Sequence, residues 1–301
     1  MKLRNILITA AAVGFMFASA NRVGVVGYSA GDYSDMDTYP HMAAGQNVAY
    51  TMGDDFTAVW SEGGTTWGFS KVGPAAGEYN ESLVDMMWSN GTYGVAFGLN
   101  MDSDEAVGTT MDIGFGMNLA GWDMGFSMGT ADGGPMSLSA RGALGFWAFD
   151  TMTFNYSTAG EGDAATTTID VNMYGVKDWG AATGMFAMGF ENTDALGAEF
   201  GTTEAISLLT NTFSVESTLT DWCDLRIGYD TKFNLAAEAD GIESWDNFSA
   251  GLGFNYGSVQ LDMTIAQGTL NNMVSNPLHY VSGRNDDNSA LAASWTLSYT
   301  W

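Results

Sequence analysis

The feature that most restricts this chain is an alternation of large apolar and small polar residues with a period of two. In 92–102, Tyr93, Val95, Phe97, Leu99 and Met101 alternate with Gly94, Ala96, Gly98, Asn100 and Asp102. In 111–119, Met111, Ile113, Phe115, Met117 and Leu119 alternate with Asp112, Gly114, Gly116 and Asn118. The same pattern returns in 122–129, 223–230, 247–256, 258–265 and 294–301, where Trp295, Leu297, Tyr299 and Trp301 oppose Ser294, Thr296, Ser298 and Thr300. Successive side chains of a β-strand point to opposite faces, so each segment reads as a strand with one bulky face and one small face. A soluble sandwich alternates as well, but its outer face carries Lys, Glu and Arg. Here only 15% of residues are charged, and the small face is Gly, Ser, Asn and Thr with scattered Asp. Such strands suit lipid on one side and water on the other.

Lipid leaves backbone groups no partner outside the protein, so a membrane chain without an apolar helix must close its strands into a barrel. The first 20 residues look like a secretory signal. Lys2 and Arg4 form the basic region, Ile6 to Ala18 the apolar stretch, and Ala18-Ser19-Ala20 the cleavage site. That apolar stretch is short for a transmembrane helix of about 20 residues, and no later segment approaches one. Other classes fall away on composition. With 9 Lys and Arg against 35 Asp and Glu, and a net charge of -26, the chain is unsuited to gripping phosphate backbones, so no nucleic-acid partner is expected. A single Cys and two His exclude an internal disulfide and a Cys/His metal site, and no cofactor is expected.

The alternation places strands at 46–52, 55–61, 65–72, 81–89, 92–102, 109–119, 121–130, 137–149, 151–158, 166–177, 180–191, 204–218, 221–234, 246–256, 258–267 and 292–301, which makes sixteen. If 46–61 instead folds inside as a hairpin, the count is fourteen. From residue 61 onward, short turns such as Asn90-Gly91, Ala120, Asp150 and Gly257 interleave with longer loops, the asymmetry of short periplasmic turns and longer outer loops. Pro40, Pro74, Pro135 and Pro277 all fall outside the strands, as residues unable to donate to a ladder should. Trp60, Trp67, Trp88, Trp122, Trp147, Trp179, Trp222 and Trp301 cluster near the short turns or the C-terminus and read as an aromatic girdle at one membrane interface.

On the signal ending Ala18-Ser19-Ala20 and the aromatic-ended last strand Trp295-Leu297-Tyr299-Trp301, the chain resembles a bacterial outer-membrane β-barrel protein of the porin type. The resemblance implies an all-β transmembrane antiparallel barrel over 46–301, located in the outer membrane. It also implies recognition of the last strand by the barrel-insertion machinery, and contact with outer-membrane lipid. It carries no solute specificity. Residues 21–45 lack alternation and either plug the pore or lie below it. The strand at 137–149 is ambiguous, because turning Arg141 inward turns Trp147 and Phe149 inward too unless a bulge intervenes.

The inward phase supplies Asp112, Asp123, Asp170, Glu191, Asp224, Asp230 and Asp262 against Arg141, Arg226 and Lys232. Excess carboxylate in a narrow aqueous bore concentrates cations, so a cation-preferring diffusion channel for small hydrophilic solutes is expected. Asp224, Arg226, Asp230 and Lys232 share one face and either set a transverse field or neutralise one another. Acidic runs at Asp102, Asp104 and Glu105, at Glu161 and Asp163, at Glu238, Asp240, Glu243 and Asp246, and at Asp286 and Asp287 lie in proposed loops. They are solvated faces or sites where divalent cations bridge, without the ordered spacing of an EF-hand. The long segment 268–291 gathers His279, Ser282, Arg284, Asp286 and Asp287 and is a candidate constriction. It has no GxSxG elbow, which argues against a hydrolase. Two other readings stand beside the channel. One is a carrier for hydrophobic compounds with 21–61 as plug, which apolar lumen contacts such as Trp147 would favour; the other is a structural, surface-exposed barrel.

Overall fold

The computed structural model describes residues 20–28, 33–52, 55–71, 80–102, 109–160, 165–194, 206–235, 244–265 and 293–301. These form sixteen strands: β1 (Val48–Met52), β2 (Asp55–Glu62), β3 (Thr65–Lys71), β4 (Asn80–Ser89), β5 (Tyr93–Asp102), β6 (Thr109–Leu119), β7 (Trp122–Gly129), β8 (Met136–Phe146), β9 (Phe149–Ala159), β10 (Thr166–Asp178), β11 (Ala182–Thr193), β12 (Ile206–Thr220), β13 (Cys223–Asn234), β14 (Ser244–Tyr256), β15 (Val259–Ile265) and β16 (Ala293–Thr300). Each pairs antiparallel with its neighbours in chain order, and β1 pairs with both β2 and β16, which closes the barrel. The fourteen-strand alternative is thereby excluded, since 48–62 belongs to the wall and not to the interior. Among the described residues every strand edge is paired, which leaves none of them to template another chain.

Short turns gather at one end, among them Gly63-Gly64, Ala120-Gly121 and Gly257-Ser258, and the strand ends that lead into the longer connections lie at the other. Bulky side chains face out along the strands: Phe97, Ile113, Phe126, Met188, Phe213, Ile227 and Leu297 are all exposed, a distribution that suits lipid and not water.

Two details depart from the sequence reading. The turn expected at Asp150 lies at Trp147-Ala148, because the β8–β9 register shifts between Ala143 and Phe146, with Gly145 at φ 57° and Trp147 at φ 54°. That bulge removes the parity conflict: Arg141 points inward while Trp147 sits in the turn, 88% exposed. The expected strand 246–256 begins earlier, at Ser244, so Asp246 belongs to β14 and not to a loop. Residues 1–19 of the proposed leader lie outside the described residues, as do 268–291 and the side chains of Asp102, Asp104, Glu105, Glu161, Asp163, Glu238, Asp240 and Glu243.

Candidate functional site

The interior is occupied by the segment that leads into β1. It opens with helix α1 (Ala20–Val26) and continues through 3-10 turns at Tyr33–Met36 and Pro40–Ala43. A seven-residue helix is too short to hold itself in water, so its conformation depends on what it packs against. Its contacts follow the wall in order. The Asn21 amide donates to Thr296 Oγ1 of β16 at 2.7 Å, and Thr264 Oγ1 of β15 donates to the Asn21 carbonyl at 2.6 Å. Arg22 reaches Glu216 of β12, and Ser214 Oγ of the same strand donates to the Val26 carbonyl at 2.8 Å. Tyr28 packs at a tilt against Tyr174 of β10, with ring centres 4.9 Å apart, and its hydroxyl lies 3.2 Å from Thr151 Oγ1 of β9. Asp35 accepts from Arg141 of β8 at 2.8 Å, Ser89 Oγ of β4 donates to the His41 carbonyl, and the Gly45 amide donates to Thr66 Oγ1 of β3. Ser61 Oγ of β2 then donates to the Gln46 carbonyl, one residue pair before β1 starts. Residues 21–28 and 33–46 therefore meet the inner wall in succession, from the last strand back to the first: an inner belt.

Glycines make room for it. A Cβ on Gly94 would overlap the backbone at Pro40 and His41, one on Gly125 the Thr38 carbonyl, and one on Gly228 the Val25 carbonyl; at Gly116 it would lie 2.8 Å from Pro40. Only a residue without a side chain lets two backbones approach this closely. The sequence reading assigned these inner glycines to water, whereas at these four positions the belt covers them. Beneath the belt, Tyr33, Met36 and Ala43 bury against Val48 and Val59 as a small apolar core.

Charge on the inner face falls into groups. Glu216 accepts from Arg22 (Nη2 to Oε2, 2.7 Å) and from Arg226 (Nε to Oε1, 2.7 Å). Arg226, 2% exposed, also donates to Asp262 at 2.5 Å, and Gln260 donates to the other Asp262 oxygen. Arg141 bridges Asp35 and Asp123, with its guanidinium 5.0 Å from the centre of the Tyr39 ring, and Asp123 also meets His41 Nε2 at 3.0 Å. Lys232 donates to Glu191 at 2.7 Å. Asp112, Asp170 and Asp224 instead accept from neutral groups: Asn100, Asn155 with Asn172, and Thr218 with Asn255. Asp230 continues the inner face of β13 between Gly228 and Lys232.

The alternation does not reach several contributors, Arg22 and His41 of the belt among them. Asp35 and Asp37 sit in the unpatterned belt, and Asp85 lies beyond a register shift at Ser82 and Val84 that hides its phase. Glu216 alternates with Val215 and was within reach of the same pattern argument.

Between belt and wall, on the long-connection side, lies a cavity of about 370 Å³ lined by Asp37, Asp85 and Asp112 with Thr57, Ser70 and Ser127. Among the described residues no basic side chain lines it. Asp37 is exposed on the cavity side of the belt. Confinement first, and the Asp85 charge second, push its carboxyl up from the ordinary 3.8 to about 6. Burial likewise pushes the Tyr39 hydroxyl up to about 12.

The tryptophans line the short-turn end. Trp60, Trp67 and Trp88 occupy matching positions on β2, β3 and β4. Trp122 lies over Gly142 and Trp179 over Gly184, each ring filling the space a side chain would need. Trp222 stacks on Phe254 and Trp301 on Tyr299 at 6.1 and 6.0 Å. Trp147 stands outside the interior, which withdraws the apolar lumen contact a hydrophobic carrier was expected to use. Trp245, which the alternation overlooked, places its ring 6.0 Å from Lys232 Nζ.

No family model and no curated protein matches the chain. Among solved structures it is similar to a porin refined at 1.8 Å resolution, at 13% identity over 84% of this chain and 98% of that one, with a TM-score of 0.47. It is also similar to an anion-selective porin from Comamonas acidovorans, at 11% identity over 85% of this chain and 96% of that one, with a TM-score of 0.44.

Proposed function

We propose that this protein is an outer-membrane channel for passive diffusion of small hydrophilic solutes, and that it prefers cations. The observation that carries the reading is an imbalance of interior charge. Among the described residues, the inner basic side chains Arg22, Arg141, Arg226 and Lys232 each sit on a carboxylate. Asp112, Asp170 and Asp224 accept hydrogen bonds from neutral asparagine and threonine groups. The cavity beside the belt presents three carboxylates and no base among its described lining residues. Fixed negative charge between low-dielectric walls raises the local concentration of cations and excludes anions. A 16-stranded wall is also wide enough to leave an aqueous bore, which an eight-stranded one is not. The exposed apolar exterior supports placement in lipid, with the tryptophans Trp60, Trp67, Trp88, Trp122, Trp179, Trp222 and Trp301 as the interfacial girdle at the short-turn end.

The test is conductance across a planar bilayer under a potassium chloride gradient. Discrete steps with a reversal potential on the cation side are expected. Anion-side reversal removes the charge argument. Absence of steps favours the structural-barrel reading, or the carrier reading if an apolar ligand binds instead.

A further inference from the structure

We propose that the inner belt, residues 21–28 and 33–46, is the element that limits the bore, and that it can be unseated while the barrel stays closed. This rests on the channel reading and adds to it the identity of the constricting part. Three observations carry it. The belt follows the circumference from Asn21 on β16 to Gln46 on β2, so it narrows the bore from around the wall and not from one side. It contributes no strand to the ladder, which closes through β1 and β16 without it. Its grip is made of separable parts: ion pairs at Arg22 and Asp35, and backbone laid on Gly94, Gly116, Gly125 and Gly228. A barrel whose backbone bonds are all satisfied within the wall keeps its fold in lipid when an interior segment leaves. Asp37 rides on the belt and faces the cavity, so the element that sets size also carries part of the charge that a permeating ion meets.

The experiment compares the full chain with Gly125→Leu/Gly228→Leu, whose side chains would occupy the space of the Thr38 and Val25 carbonyls. A second variant, Arg22→Ala/Asp35→Asn, keeps the glycines and removes the ion pairs. Heat-modifiable gel migration establishes that each barrel is folded, and limited trypsin digestion at Arg22, buried in the seated belt, reports seating independently of conductance; for Arg22→Ala, a cysteine placed at Asn21 and challenged with a maleimide serves instead. In the unseated variants, single-channel conductance should rise by about two-fold or more, because an unobstructed 16-stranded wall encloses a wide aqueous channel. Larger neutral sugars should then enter proteoliposomes that the wild type excludes. If the belt is cleaved or labelled and both conductance and sugar cut-off match the wild type, the belt is not the constriction, although the channel reading survives. If the belt stays protected in both folded variants, it is not separable, and the proposal fails. If neither wild type nor variants conduct, the channel reading fails and takes this proposal with it.

Discussion

Arg22 and Glu216, 194 positions apart in sequence, meet side on, with Nε and Nη2 of the guanidinium both donating to the carboxylate. Glu216 also receives Arg226, so one carboxylate holds two cations and ties the belt to β12 and β13. Glu216→Gln leaves two guanidinium groups facing each other in a confined space, a change that costs about 3 kcal/mol when one partner of a buried pair is lost. Adding Arg22→Gln should recover a measurable part of that loss. Urea unfolding in lipid vesicles, followed by tryptophan fluorescence, tests both. A double variant no more stable than Glu216→Gln alone would contradict the coupling.

The Asp37 carboxyl predicts a pH dependence whose sign is fixed. Its value in the folded protein, about 6, lies above the ordinary 3.8, so the folded state favours the protonated form. The stabilisation is complete below the unfolded value and is lost as pH rises through 6. Asp37→Asn should therefore protect the belt from trypsin more at pH 8 than the wild type is protected, and make little difference at pH 4, read with an acid-tolerant protease at the same segment. Equal effects at both pH values would rule the carboxyl out as the cause.

The β6–β7 turn is a second place where one substitution should help. Ala120 and Gly121 both have positive φ, 53° and 86°, the pattern of a type I′ hairpin. An L-residue with a Cβ pays about 1 kcal/mol to enter that region, and asparagine tolerates it better than alanine. Ala120→Asn should raise the unfolding midpoint. At Gly63-Gly64, where φ is 62° and 85°, Gly63→Ala should lower it by a similar amount.

Lys232 and Glu191 offer a test of interior charge away from the belt. Lys232→Gln leaves the Glu191 carboxylate without its cation, so the reversal potential should shift further toward cation selectivity. Screening shortens from about 10 Å at 0.1 M salt to about 3 Å at 1 M, so the shift should shrink as salt rises. A shift toward anions, or one indifferent to salt, would count against fixed charge as the origin of selectivity.

The wall was legible because lipid and water impose opposite demands on adjacent residues, and a run such as Tyr93 to Asp102 can satisfy both only as a strand. Where the backbone breaks that rule, the reading slipped. Gly145 and Trp147 adopt left-handed angles, the bulge beside them shifts the phase, and the turn moves from Asp150 to Trp147-Ala148. The belt was hidden for a different reason. Its conformation is set by partners far along the chain, such as Thr296 for Asn21 and Arg141 for Asp35, and such partners leave no periodic mark. Gly94, Gly116, Gly125 and Gly228 were ambiguous in principle, since a small inward residue serves a bound water and an adjoining backbone equally well.

The order of the belt's contacts bears on how the protein can assemble. Asn21 bonds to β16 and β15, which are made last, while Gln46 bonds to β2, among the first strands made. Asn21 therefore waits for almost the whole polypeptide before its partners exist. Seating of the belt is therefore a late event, completed only when its partners on β15 and β16 have joined the wall.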